Sequence, residues 1–302
     1  MVAQEELRTQ PLYRLVAVDL DGTLLGPDGQ LSARTLHTAR ALHMARVPLV
    51  LATSRRWAGA SPVAEALGFP LTLILYDGAL ACSWPDKTEL FRNALRADVG
   101  QQAVEILAAH RLRPIVQHHD ARGEYLLVGP RVPYSRRTDP YLSIYQSQAT
   151  EAPIAELCRN HGDPLRIVVF GEQRRLRAAA RDISRLACGW QFLAIGNYGT
   201  SELTVFSPTA SKANALARLA GRLGVPMHHV MAVGDGVNDV GMVRAVGLGV
   251  AMANGERSTR AAASVIAPPN SEDGAAWAIE RYLLRGGIGD SMPDDTAAVR
   301  AS

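Results

Sequence analysis

Cysteine is scarce: Cys82, Cys158 and Cys188 are the only three in 302 residues, and they stand far apart. An odd, scattered set excludes a disulfide scaffold and a zinc site built from close cysteine pairs, and three reduced thiols are the expectation. Long apolar runs are also missing. The longest stretches, at 47–53 and 71–76, fall far short of the roughly 20 residues of a membrane-spanning helix. Residues 1–14 (MVAQEELRTQPLYR) carry acids and no apolar centre, so they do not read as a secretory leader and a cytoplasmic location is expected. Nor is there an excess of one charge. The 32 Lys and Arg against 29 Asp and Glu leave a net charge of +3, which argues against nucleic acid or an anionic membrane as a partner.

What is present is a chain that is 47% hydrophobic, enough for one large domain or two smaller ones. From residue 12 short apolar runs alternate with longer amphipathic stretches: LYRLVAVDLDG, SARTLHTARALHMARV, PLVLATS, SPVAEALGF and LTLILYDGALA. Runs of Val, Leu and Ile that are apolar throughout suit strands covered on both faces, and the stretches between them suit crossover helices. Ser32 fits an N-cap, with Leu36, Ala39, Leu42 and Met44 forming the apolar stripe behind it. The same texture returns near the end in SKANALARLAGRLGV, HHVMAVGD, DVGMVRAVG, LGVAMA and SEDGAAWAIERYLL. The fold class is therefore read as α/β with a parallel sheet, its two parts (12–83 and 201–285) separated by an insertion. Residues 84–200 are more polar, with a helix at ADVGQQAVEILAAHR and strands at RIVVF and ELTVF, and are read as an inserted α+β cap over the strand ends. Residues 1–11 and 286–302 have little to bury and are expected to be flexible.

Chemistry concentrates where strands end. In LVAVDLDGTLL a buried strand runs into Asp19 and Asp21, followed by Gly22 and Thr23. Alternation along a strand starts both acids on one side, and the glycine releases the chain into a tight turn. Two close carboxylates repel and raise each other's pKa unless a cation lies between them, so the pair asks for Mg²⁺ or for a shared proton. One ionised aspartate can attack phosphorus while its neighbour supplies a proton to the leaving alcohol. The same letters alone also describe an acidic turn. A second strand, in VMAVGDGVNDVGMV, ends in Asp235, with Asn238 and Asp239 one turn further on, a set of hard oxygen donors suited to a cation and its waters. The twelve-residue spacing and final Glu of an EF-hand are missing. Between these strands, Thr53 and Ser54 in VLATSRR offer hydroxyl and backbone N–H groups to a phosphate, and Lys212 in TASKANAL offers a point charge.

These four segments, in this order, resemble the haloacid dehalogenase superfamily of phosphatases, specifically the Cof-type branch with a cap between the second and third motifs. The likeness covers residues 12 to 285 and includes the closing GLGVAMANG and SEDGAAWAIERYL. It implies a Rossmann-like core carrying an inserted cap, with Asp19 as nucleophile, Asp21 as acid and base, and Thr53 and Lys212 as phosphate binders. Asp235 would hold Mg²⁺ with Asp19 and the Asp21 backbone carbonyl, Asp239 completing the acidic set. The chain departs from that pattern at Ser54, where glycine is usual, at Asp77, where asparagine is usual, and at Ala213. Ser54 implies tighter local geometry near the substrate. An acid at 77 beside a phosphate dianion needs a proton, a cation or another orientation.

Motif residues see only phosphate and metal, so specificity is assigned to the insert and its neighbours. Arg55, Arg56 and Asp77 are candidates on the core side. In the insert, the polar run His118, His119 and Asp120 and the group Tyr134, Arg136, Arg137, Tyr141 and Tyr145 read either as ligand contacts or as a solvated surface. The expected function is hydrolysis of a small phosphorylated metabolite, a sugar phosphate or a phosphorylated cofactor, by a monomer or homodimer. A phosphomutase or phosphotransferase using the same intermediate and a non-catalytic phosphometabolite binder are the alternatives. A response-regulator domain would be less than half this length.

Overall fold

Strands that are apolar on both faces fold only where both faces are covered, and the chain builds that arrangement. The computed structural model describes residues 12–120, 123–132, 139–195 and 199–284. Its strands are β1 Leu15–Val18, β2 Leu49–Ala52, β3 Leu71–Leu75, β4 Leu80–Trp84, β5 Glu89–Arg92, β6 Ile115–Asp120, β7 Gly123–Val128, β8 Ala149–Glu151, β9 Arg166–Gly171, β10 Gly189–Leu193, β11 Ser201–Phe206, β12 Val230–Gly234, β13 Leu248–Met252 and β14 Val265–Ala267. Eight of them form one sheet in the order β14-β13-β12-β1-β2-β3-β4-β5, and six form a second in the order β10-β11-β9-β6-β7-β8.

In the first sheet, β14 through β3 pair in parallel. Side-chain alternation splits each strand between two cores. Val16, Val18, Leu49, Leu51, Leu73 and Val233 pack with Leu42, Ala64 and Ile279 from the helices Ala33–Met44, Trp57–Leu67 and Gly274–Tyr282. Leu15, Ala17, Val50, Ile74 and Ala232 pack on the other side with Leu216 and Leu219 of the helix Lys212–Arg222 and Met242 of the helix Val240–Ala245. The Ser32 hydroxyl accepts from Thr35 N at 3.0 Å, the expected cap. Glu280 accepts from Arg34 at 2.6 Å and from Thr38 at 2.5 Å, tying the closing helix to the first.

Two expectations change. The sheet is not parallel throughout: the turn at Tyr76, Asp77 and Gly78, with φ of 51°, 55° and 99°, ends the third strand within LTLILYDGALA, and the reversed chain pairs β4, then β5, in antiparallel fashion. The boundaries near 84 and 200 also shift, because β5 at 89–92 extends the first sheet and β11 at 201–206 pairs with β9 and β10 in the second. Local composition reports that a segment is a strand but not which neighbour its backbone will meet.

The second sheet is antiparallel except for β7 with β8. One face is covered by the helices Ala97–Ala109 and Gln173–Ile183 through Val104, Leu107, Leu176 and Ile183. On the other face, Ile115, Leu126, Val168 and Phe170 gather around Tyr141. Among the described residues, no helix is long and apolar enough to cross a membrane.

Leu73 is fully buried in a central strand and belongs to the core between the sheet and its helices. Leu73→Ala is expected to destabilise the fold by roughly 2–5 kcal/mol, read as a lower midpoint of urea unfolding with unchanged slope.

Candidate active site

Four adjacent strands, β12, β1, β2 and β3, end side by side, and each hands its chain to a turn carrying a polar residue from the sequence reading. Ligands of open parallel sheets bind at these carboxyl ends. Asp19 follows β1 and its N–H donates to Val233 O at 3.0 Å, which fixes it against the end of β12. The chain then turns through Gly22 at φ +76°, where a Cβ would lie 2.4 Å from Asp235 Oδ2. Only glycine allows that approach, and it lets the Thr23 hydroxyl donate to Asp235 Oδ1 at 2.7 Å.

Lys212 opens its helix behind the N-cap Ser211, whose hydroxyl accepts from Asn214 N at 3.1 Å. At Gly78 a Cβ would come within 2.2 Å of Ser211 O, so the turn after β3 seats directly against the helix start. The ammonium, with 1% of the side chain exposed, donates to Asp19 Oδ1 at 2.6 Å and to Asp239 Oδ1 at 2.7 Å. The second oxygen of Asp239 accepts from the N–H groups of Asp235 at 3.1 Å and Gly236 at 2.9 Å. Asp239 is thus occupied on both oxygens, orienting the lysine and the Asp235 turn.

Asp19, Asp235 and Asp239 present carboxylate oxygens within 4.8 Å of one another. Three acids against one lysine leave an excess of two negative charges in a largely buried space. Burial is the largest influence on Asp19 and pushes its carboxyl up to about 8; Lys212 opposes this, and Asp239 and Asp235 add to it. Asp235 is raised too, again chiefly by burial. A hard divalent cation answers both the donor chemistry and the charge excess, so the residues fit such an ion.

The Asp21 carboxylate lies outside this acidic group. It is held by Arg55, Nε to Oδ2 at 2.8 Å and Nη2 to Oδ1 at 2.5 Å, at a partly exposed position. Thr53, fully buried after β2, accepts from Arg55 N at 3.0 Å through its hydroxyl. Its carbonyl accepts from Asp77 N at 3.1 Å, which joins the turns after β2 and β3. Asp77 meets its cation: Oδ2 is 3.6 Å from Arg166 Nη1 of β9, while Oδ1 accepts from Asn238 Nδ2 at 2.7 Å. Arg166 also donates to Ser54 O at 3.2 Å. Asn238 is therefore bound to Asp77.

The insert residues separate. His118 is buried, stacked on Tyr125, and depressed to about 4 mainly by burial, a packed histidine of the second sheet. His119, next along the strand, lies near Trp57 on the other face. Tyr141 accepts from Gln117 at 2.7 Å, and the Tyr145 ring lies 3.8 Å from the Arg56 guanidinium. Tyr134, Arg136 and Arg137 lie outside the described residues. Arg166 and Glu124 were missed, because a lone charge in a strand pattern carries no signal of the element it will cross to.

Residues 16–279 match the model of the haloacid dehalogenase-like hydrolases, and the chain belongs to that family of enzymes. It is 25% identical to the 5-amino-6-(5-phospho-D-ribitylamino)uracil phosphatase YitU of Bacillus subtilis, over 92% of this chain and 99% of that one. It is 24% identical to the pyridoxal phosphate phosphatase YbhA of Escherichia coli, over 90% and 99%. The chloroplastic endoribonuclease YBEY of Arabidopsis thaliana is 26% identical over 91% of this chain, which spans only 47% of that relative's length. A haloacid dehalogenase-like hydrolase from Bacteroides thetaiotaomicron shares the fold, with a TM-score of 0.71 at 24% identity over 89% of this chain and 99% of that one.

A proton held by Asp19 in the folded chain and released in the unfolded chain has a definite consequence. With the folded value at about 8 and the ordinary value at 3.8, the folded form binds more protons between those limits, so stability falls as pH rises through that window. In chelator, the melting temperature is expected to drop from about pH 5 to 8, and Asp19→Asn is expected to flatten the trend.

Proposed function

We propose that this hydrolase cleaves phosphate monoesters of small metabolites, with Mg²⁺ as cofactor and an aspartyl-phosphate on Asp19 as intermediate. The observation that carries the reading is the convergence of Asp19, Asp235, Asp239 and Lys212 at the carboxyl ends of adjacent parallel strands. Its two phosphatase relatives act, by their names, on 5-amino-6-(5-phospho-D-ribitylamino)uracil and on pyridoxal phosphate. The substrate class proposed here is likewise a sugar phosphate or a phosphorylated cofactor or precursor.

Asp19 attacks phosphorus through a carboxylate oxygen, forming the aspartyl P–O bond as the ester P–O bond breaks. Once entering substrate opens its pairing with Arg55, Asp21 takes up a proton from solvent and gives it to the departing alkoxide. The resulting Asp21 carboxylate then takes a proton from water, whose oxygen attacks phosphorus and releases Asp19 and inorganic phosphate. Lys212 and the Thr53 hydroxyl hold the transferring phosphoryl oxygens. Mg²⁺ would be held by Asp19 and Asp235 and would neutralise charge on the phosphoryl group. Asp239 keeps the lysine and the Asp235 turn in place.

Incubation with a panel of phosphorylated sugars and cofactors in Mg²⁺ is expected to release inorganic phosphate. Asp19→Asn is expected to lower turnover by at least about 10³-fold, and chelation to abolish it. Near-normal release by that variant would refute the covalent route, and isomerised ester without free phosphate would assign a mutase instead.

A further inference from the structure

The helix Trp57–Leu67 starts without a cap of its own: Arg56 stands at its N-cap position and no side chain of the flanking residue accepts from the first turn. Four N–H groups at a helix start need acceptors, and the dipole there favours an anion. The acceptor arrives from the other sheet. Glu124 of β7, with 5% of its side chain exposed, accepts from Ala58 N at 3.3 Å through Oε1. Its Oε2 accepts from the Tyr76 hydroxyl at 3.0 Å. Oε1 also lies 3.5 Å from Arg56 Nη2, a guanidinium only 4% exposed.

Arg56 makes that contact consequential. Its Nη2 donates to Gln148 at 3.0 Å and its plane stacks on Tyr145, yet among the described residues its Nε and Nη1 find no hydrogen-bond partner. Glu124 is the one carboxylate within ion-pair distance of this buried cation among the described residues. Arg56 and Tyr76 are in turn the immediate neighbours of the candidate site. Tyr76 N donates to Arg55 O at 3.1 Å, Arg55 N donates to the Thr53 hydroxyl at 3.0 Å, and Asp77 N donates to Thr53 O at 3.1 Å.

We propose that Glu124 of the second sheet is a positioning residue for the phosphate-binding turn of the first, capping the helix Trp57–Leu67 and holding Arg56 and Tyr76 so that Thr53 and Ser54 are placed for substrate. The role rests on the phosphatase reading for what Thr53 and Ser54 bind. The coupling itself is a matter of backbone order. Thr53 is then correctly set only while the second sheet is docked, because the only anion at that helix start comes from there among the described residues. The carboxylates proposed to hold the metal, Asp19 and Asp235, follow β1 and β12 and are held by Lys212 and Thr23 rather than by Arg56 or Tyr76, so they should not feel the change.

The test uses the full chain with Mg²⁺, p-nitrophenyl phosphate and orthovanadate. Glu124→Ala is expected to lower kcat about tenfold or more and to weaken vanadate inhibition by a similar factor, because a displaced phosphate-holding group loses transition-state contacts steeply. The half-saturating Mg²⁺ concentration should stay as in the wild type, and amide hydrogen exchange across residues 54–60 should accelerate. Tyr76→Phe, which removes one donor and little volume, should move the same readouts less, and Glu124→Gln, which keeps one acceptor oxygen for Ala58 N while losing the charge and the second acceptor, should recover part of the loss. These two variants carry the comparison if Glu124→Ala does not fold. Unchanged exchange across 54–60 with wild-type vanadate inhibition overturns the proposal. So does a loss of Mg²⁺ affinity equal to the loss of vanadate affinity, which marks general loosening. Hydrogen exchange needs no turnover, so a wild-type chain inactive on every ester defeats the phosphatase reading while exchange still decides the coupling.

Discussion

A lysine with 1% of its side chain exposed stays charged only with anions at hydrogen-bond distance, and Lys212 has two, Asp19 at 2.6 Å and Asp239 at 2.7 Å. Desolvating an ammonium costs several kcal/mol after relaxation, so such a group is kept only where its partners are fixed. That requirement propagates outward. Asp239 must present one oxygen to the lysine and the other to two backbone N–H groups, which sets the turn after β12. Asp19 must leave β1 at the level where Val233 accepts its N–H. The helix that carries Lys212 must approach the turn at Gly78 so closely that no side chain fits between them. The parallel register of β12, β1, β2 and β3 is the scaffold that meets these distances together.

The same cluster is overcharged by design of its residue types. One lysine cannot balance three carboxylates, two of them buried and Asp235 half-buried, and burial first, with the neighbouring acids adding to it, raises the carboxyl groups of Asp19 and Asp235. A proton on Asp19 relieves it at the expense of nucleophilicity, whereas a divalent cation relieves it while leaving the carboxylate ionised. Catalytic competence and charge balance therefore call for the same ion.

Much of this was legible in the sequence because it follows from local rules. Strands apolar on both faces, helices with a stripe and a Ser cap, and acids placed where strands stop are all short-range statements, and Asp19, Asp235 and Asp239 follow from them, whereas Thr53 and Lys212 gain meaning only beside those acids. The resemblance added the roles. What stayed hidden depends on which elements meet. The left-handed turn at Tyr76–Gly78 reverses the chain into an antiparallel pairing; Asp-Gly signals a turn, but the alternation of strands and helices around it led to a sheet read as parallel. Asp77 read as a liability beside a phosphate because its cation, Arg166, is 89 positions away on the other sheet. Asp21 read as one of a matched pair with Asp19, yet the turn between them sends its carboxylate to Arg55.

These cross-sheet contacts change what the insert means for the chemistry. Arg166 neutralises Asp77 and donates to the Ser54 carbonyl; Glu124 caps the start of a helix of the first sheet and faces Arg56. Each contact falls on the turns after β2 and β3, and none falls on the turns after β1 and β12 that hold the acids. The site is therefore divided by origin. Its acidic cluster is built within the first sheet alone, while the turns after β2 and β3 are completed from the second. Exchange of residues in the insert therefore acts first on the turns after β2 and β3, and reaches the acids through the Asp77–Asn238 and Arg55–Asp21 contacts. The departures at Ser54 and Asp77 lie on that shared boundary. Ser54 contributes its carbonyl to Arg166, and Asp77 supplies the anion that draws the same arginine down. An acid at 77 is then tolerable for a physical reason: it forms the lower half of an ion pair whose upper half belongs to the second sheet.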